Sequence, residues 1–394
     1  MENVKYRADG DALVIELSGH IDSSNAAAAE QAITAARESG SFSKVTVDCA
    51  DLSYISSAGL RVILRLKKAI PDTCLTNVST EVYEIFDMTG FTEMMDVQKA
   101  YRVLSVEGCE VIGQGANGKV YRIDPDTIVK VYLDPDSLDD IHRERELART
   151  AFVLGIPTAI PYDVVRVEDG SYGSVFEMLN ADSFAKLLIK GEKTVDEIAS
   201  MSIELLKTIH ATKVDPKTMP DMKAVAAGWA DYLKDYLPAD QWEKLCALIK
   251  AVPDDDHMLH GDYHLKNVMY QNGESILIDM DTICHGHPIF ELACMRNAYV
   301  GYSSVDRSVV QGFLGIPYDT AKELWGKMLK LYLGTEDEAV LKDVEDKAEL
   351  VGITRMMRRS IRRMGLDTEE GRTFCEFCRK RFTELLPKID TLTF

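Results

Sequence analysis

Apolar and polar positions change rhythm along this chain. Through about residue 100, short strand-like runs at 11–17, 44–48 and 75–78 alternate with stretches at helical spacing. One helix starts from a cap at Asp22-Ser23-Ser24 and runs to about Glu38, one opens from the loop that begins at Leu52, and one covers 81–88. Such alternation predicts a small sheet with helices packed on it. The next stretch is again strand-rich: Val111-Ile112, Arg122-Ile123, Ile128 to Tyr132 and Val175 to Leu179, with a helix at about 138–154. Beyond it the period is helical over 195–210, 222–248, 319–333, 337–364 and 369–386. A strand pair, 268–270 and 275–278, interrupts that run around a turn at Gln271-Asn272-Gly273. The expected organisation is therefore a βα unit over 1–103, a strand-rich lobe over 108–180 and a helical lobe over 181–394.

The chemistry lies in the second and third of these. His260-Gly-Asp262-Tyr-His-Leu-Lys-Asn267 precedes Ile278-Asp279-Met-Asp281. Phosphoryl transfer from a nucleotide needs a carboxylate to accept the substrate hydroxyl proton, and an amide with a second carboxylate to hold magnesium against the phosphates. Upstream, Gly113-Gln-Gly115-Ala-Asn-Gly118-Lys-Val120 lies between two strands, as in a kinase glycine flap and unlike a dinucleotide fingerprint. Lys130 sits in the next apolar strand, where a kinase keeps the lysine that grips the phosphates. Either Glu144 or Glu146 of the following helix can pair with it. Glu146, nine residues before Gly155-Ile-Pro157, is the favoured partner.

These motifs, in this order over about 108–394, resemble the aminoglycoside phosphotransferase-like kinases, a resemblance strengthened by Gly286-His-Pro-Ile-Phe-Glu291-Leu-Ala293. It implies a two-lobed protein kinase-like fold using ATP and Mg2+, with Asp262 as catalytic base and Asn267 and Asp279 as metal ligands. It also implies Lys130 on the phosphates, a lysine partner, expected at Glu146, and His260 bracing the loop. Val175 to Leu179 looks like the hinge, with the backbone at Glu177 and Met178 taking the adenine edge. Met280 and Glu291 depart from the family's usual residues without removing a chemical group. Asp281 adds a second carboxylate near the metal position or serves as a cap.

The first hundred residues resemble the STAS domain of anti-sigma-factor antagonists, through Gly19-His-Ile-Asp22 and Ser56-Ser57-Ala58-Gly59-Leu60. The resemblance implies a regulatory serine or threonine at this helix start, where phosphate would meet unpaired N–H groups. Here Ala58 occupies the usual acceptor position, leaving Ser56 and Ser57 as candidate phosphosites, with helix capping by Ser57 the plainer role. The fold class expected for the whole is thus α/β plus α+β. The expected function is phosphotransfer to a hydroxyl of a small molecule, with the STAS unit as regulator, sensor or docking point for a protein partner. The alternatives are a serine kinase acting on a STAS domain and a nucleotide-holding signalling module without catalysis.

Composition narrows the setting. A net charge of −19 and a pI near 4.9 argue against nucleic acid as a general partner. The run Arg355, Arg358, Arg359, Arg362 and Arg363 is spaced along a helix and reads as a solvated face, pairing with the acidic excess or meeting an anionic partner. No signal peptide or membrane-length apolar run is evident, so a cytoplasmic protein is expected. His264, His285 and His287 have no accompanying zinc-site spacing and are expected to make loop hydrogen bonds. Cys375 and Cys378 read as two thiols on one helix face.

Overall fold

The computed structural model describes residues 3–115, 118–134 and 136–394. The chain divides into two compact units, Met1–Glu107 with Val164–Ser171, and Gly108–Asp163 with Tyr172–Phe394.

The first unit runs β1 (Val4–Asp9), β2 (Ala12–Ile21), α1 (Ala26–Glu38), β3 (Lys44–Ile55), α2 (Ser57–Ala69), β4 (Asp72–Val78), α3 (Thr80–Met88), α4 (Phe91–Met94), β5 (Val97–Lys99) and β6 (Arg102–Leu104). Its sheet has the order β1-β2-β3-β4-β5, antiparallel at the first pair and parallel thereafter. Leu13, Ile15, Val45, Val47, Leu75, Val82 and Phe86 are fully buried between sheet and helices. Strand β3 continues past Asp48 to Ile55, where a loop was expected. It keeps pairing with β2 through two register shifts, so Leu52 and Ile55 return to the core. Helix α1 is entered from Asn25, not from the Asp22-Ser23-Ser24 cap, because the Asp22 carboxylate is engaged by the Ser24 N–H and hydroxyl.

The second unit begins with β7 (Glu110–Gln114), β8 (Gly118–Asp124), β9 (Thr127–Tyr132) and α5 (Leu138–Val153). Strand β10 (Asp163–Val167) pairs in parallel with β6, which is why 164–171 groups with the first unit. Strand β11 (Tyr172–Glu177) then completes an antiparallel β11-β9-β8-β7 sheet. The helical part follows: β12 (Asp182–Ser183), α6 (Phe184–Lys190), α7 (Val195–Ala211), α8 (Met222–Tyr232) and α9 (Ala239–Ala251). Helices α8 and α9 replace the single helix expected over 222–248, since Pro238, which cannot donate a backbone hydrogen bond, stands at the N-cap of α9. Short strands β13 (Met258–Leu259), β14 (Val268–Gln271), β15 (Glu274–Leu277) and β16 (Cys284–His285) frame the loops that carry the motifs. Asn272 and Gly273, both at positive φ, make the tight turn between β14 and β15. The chain closes with α10 (Ile289–Arg296), a π-helical turn Asn297–Gly301, α11 (Ser308–Leu314), α12 (Tyr318–Leu333), α13 (Glu338–Met364) and α14 (Glu369–Leu385). Cys375 and Cys378 are free thiols on the buried face of α14. Among the described residues no helix is long and apolar enough to cross a membrane.

Candidate active site

Within the second unit the β-sheet and the helices line a cleft of ≈ 1560 Å³. Gly113, Gly115, Gly118, Val120, Lys130, Glu144, Glu177, Met178, Asp262, Asn267, Asp279 and Asp281 all line it.

Alternation along β9 buries Val129 and Val131 and turns Lys130 to the other face. Helix α5 buries Ile141, Glu144, Leu147, Ala148 and Ala151, a single stripe at helical spacing. Glu144 therefore meets the lysine, with Lys130 Nζ donating to Glu144 Oε1 and Oε2 at 2.9 and 3.1 Å. The expected partner Glu146 lies two residues on, outside the stripe and exposed to solvent. Tyr132 OH donates to Glu144 Oε2 at 2.6 Å, and Lys130 Nζ also donates to Asp279 Oδ1 at 2.8 Å. Burial opposes the lysine's charge, but Glu144 and Asp279 more than reverse this and hold its pKa above the ordinary value.

Of the glycine segment, Ala116 and Asn117 fall outside the described residues. On either side of them the Gly115 N–H donates to Gly118 O at 2.9 Å. Gly118 permits the close approach of β9, because a Cβ there would lie 2.4 Å from Val131 O. At the expected hinge, the Met178 N–H donates to Asp126 O at 2.8 Å and Glu177 lies opposite Thr127 in the ladder. That amide is engaged by the protein's own turn and does not offer an adenine edge a donor.

The loop that carries Asp262 and Asn267 is held by a buried carboxylate, Glu291. The His260 N–H donates to Glu291 Oε2 at 2.5 Å, and the Gly261 N–H donates to both carboxylate oxygens at 3.0 and 3.1 Å. Burial alone would raise the Glu291 pKa, yet the nearby His210, His260 and Gly261 N–H hold it below the usual range. Gly261 adopts φ +80, and a Cβ there would lie 2.4 Å from Thr282 O. His260 is fully buried, and that burial pushes its imidazole pKa down, keeping it neutral. Its Nδ1 accepts from the Asp262 N–H at 3.3 Å.

Asp262 faces the cleft. Its Oδ2 lies 3.6 Å from His264 Nε2 and its Oδ1 lies 3.7 Å from Arg355 Nη2. Burial favours the neutral acid, but His264, Arg355 and His260 outweigh it and hold the carboxyl below the usual carboxylate range. The Asn267 amide is anchored by its Nδ2–H, which donates to Asp262 O at 3.1 Å. Asp279 sits in the left-handed region at φ 62, a strained position that projects a short carboxylate at the end of β15. Burial and the Asp279 charge push the Asp281 carboxyl up to about 7, against the pull of Lys130. An anchored amide and two crowded carboxylates form an all-oxygen donor set suited to a hard divalent cation, which would relieve that crowding. His285 Nδ1 lies 2.8 Å from Asp255 O, and the Ile289 N–H donates to His287 Nδ1, so both are loop-bracing residues.

Arg355, which sequence reasoning assigned to a solvated face, instead contacts the loop that carries Asp262. Its Nη1–H donates to Gly261 O at 3.4 Å in addition to the Asp262 contact, and its side chain is only 22% exposed. The available signal was the repeat Arg355, Arg359, Arg363 at four-residue spacing. In the first unit, Ser56 caps α2, its Oγ accepting from the Ala58 N–H at 3.2 Å. The expected cap, Ser57, is instead the first helical residue and is exposed. Gly59 lets α2 approach β2 closely, since a Cβ there would lie 2.9 Å from Ile21 O.

Sequence comparison agrees with this geometry. Residues 108–324 match the phosphotransferase enzyme family and residues 3–104 match the STAS domain. The chain belongs to the phosphotransferase enzyme family: it is a kinase-like phosphotransferase carrying an N-terminal STAS domain. A Bordetella bronchiseptica protein, BtrV, which carries the name of an anti-sigma factor antagonist, is 34% identical over 89 residues, covering 22% of this chain and 76% of that protein. Solved structures of thermostable mutants of aminoglycoside phosphotransferase APH(4)-Ia, one with AMP-PNP and hygromycin B and one with ADP and hygromycin B, share the fold. Each is 12% identical and covers 72% of this chain and 95% of its own, with TM-score 0.50.

Proposed function

We propose that this protein transfers the γ-phosphoryl group of ATP, with Mg2+, to a hydroxyl of a small molecule, and that its STAS domain regulates or senses for that activity. The observation that carries this reading is the convergence of Lys130, Asp262, Asn267 and Asp279 on one cleft, with Lys130 fixed by Glu144. Lys130 would grip the nucleotide phosphates. Asn267 and Asp279, with Asp281 beside them, would hold magnesium, which when bound neutralises charge on the phosphates. Asp262 orients the acceptor hydroxyl and takes its proton as the acceptor oxygen bonds to phosphorus and the bond to ADP breaks. A carboxylate kept this acidic is a weak base, so it contributes more by alignment than by early proton abstraction, as a loose transition state allows.

Replacing Asp262 with Asn is expected to lower acceptor-dependent ADP release by about 10²–10⁴-fold while AMP-PNP affinity is kept. Turnover close to wild type in this variant would overturn the assignment. Coupled ADP detection beside calorimetry reads both quantities.

A further inference from the structure

Resting on that reading, we propose that the acceptor is an anionic small molecule, a hydroxyl compound bearing a phosphate or carboxylate, held by Arg359 and Arg363 of α13. The chain as a whole carries −19. Yet where the helical lobe lines the cleft, the cations Lys186, Lys266, Arg355, Arg359 and Arg363 equal in number the acidic Asp262, Asp279, Asp281, Asp306 and Glu370, and three of the cations gather on α13. The negative charges there are partly engaged. Asp262 faces His264 and Arg355, and the Asp306 carboxylate accepts from the Ser308 N–H at 2.8 Å.

Arg355, Arg359 and Arg363 recur every four residues and so share one face of α13. Arg355 reaches the catalytic loop, which fixes the direction of that face toward Asp262. Arg359 lies over the Tyr302 ring, 5.4 Å from its centroid, and Tyr302 stacks on Phe374 at 6.3 Å. Among the described residues neither Arg359 nor Arg363 forms an ion pair, and both are exposed to the cleft.

A second observation points independently to a ligand. Tyr302 and His264 line the same cleft, and among the described residues the Tyr302 hydroxyl and His264 Nδ1 are buried without a hydrogen-bond partner. Buried polar atoms without a partner are uncommon in a folded protein, and these two belong to residues that line the cleft. Planar guanidinium groups match phosphate and carboxylate oxygens, whereas the same cations repel a polyamine. The aromatic residues Tyr302, Phe313 and Phe374 also line the cleft and give it a partly apolar wall beside the arginines.

The test uses the full chain with Mg2+ and ATP. ADP release is measured with glycerol phosphate, phosphoglycerate, glycerate, glycerol, choline and kanamycin, and binding of the same compounds is measured by calorimetry with AMP-PNP present. The expected result is preference for the phosphate- or carboxylate-bearing compounds. Arg359→Ala and Arg363→Ala should each weaken their KM or Kd by about 10–100-fold without loss of AMP-PNP affinity. Preference for choline, kanamycin or glycerol would overturn the proposal, as would anionic compounds that fail to bind or whose affinity ignores both substitutions. Phosphate on the peptide holding Ser56 and Ser57, without any added compound, would assign the acceptor to protein instead. Absence of Asp262-dependent ADP release with every compound would refute the phosphotransfer reading, and the calorimetry would still decide the anion site.

Discussion

Glu144 and Glu146 differ by two positions, and on a helix that offset is about 200°, enough to place one against Lys130 and the other in solvent. Glu144→Gln should therefore lower kcat/KM for ATP by about ten-fold or more through loss of a charge-assisted contact. Glu146→Gln should leave it within about twofold, as exposed charges usually do. Steady-state kinetics with both variants decides the matter, and equal effects would contradict the pairing. That Asp262, Asn267 and Asp279 would come together was legible in the sequence, because their spacing along the chain is itself the signal, and all three line the cleft. The Arg355 contact was not, since it joins α13 to a loop 94 positions away and depends on how the helix is rotated. Glu291 was visible as a departure from the family pattern, but its two-amide grip on the loop emerges only from the packing.

Rotation of α13 is set at the π-helical turn. Asn297 Nδ2–H donates to Gly352 O at 2.9 Å, and a Cβ on Gly352 would lie 2.5 Å from Asn297 Oδ1. Gly301 repeats the constraint, its virtual Cβ lying 2.6 Å from the same oxygen. Single π turns are rare and gather at functional sites, and this one directly precedes Tyr302. Gly352→Ala is expected to cost about 1–3 kcal/mol of stability by overpacking, and to reduce turnover by shifting Arg355, three residues on. Urea denaturation beside kinetics measures both, and a variant with wild-type stability would show that Asn297 yields freely. At this scale periodicity found the longer helices and passed over the short α4, α6, α10 and α11, which span too few turns to show a repeat. It ran through the break at Pro238 because apolar spacing resumes on the far side, and it stopped β3 early because the register shifts break strict alternation.

The chain passes from one compact unit to the other three times: after Glu107, after Asp163 and after Ser171. Composition could not reveal this, because β10 reads like any other apolar strand and its partner β6 is only three residues long. A fragment beginning at Gly108 would keep the whole kinase-like sequence but strip β10 of β6, exposing its backbone edge. Such a fragment is expected to aggregate or melt at lower temperature than the full chain. Light scattering and thermal melts would show it, and an equally stable, monomeric fragment would refute it. The same pairing constrains birth on the ribosome. The five-stranded sheet of the first unit can close once Lys99 has emerged, but the β6 edge must wait for Val165–Val167 to be translated. A chain stalled within the glycine segment would leave that short edge unpaired, so the first unit is complete only after part of the second has been made.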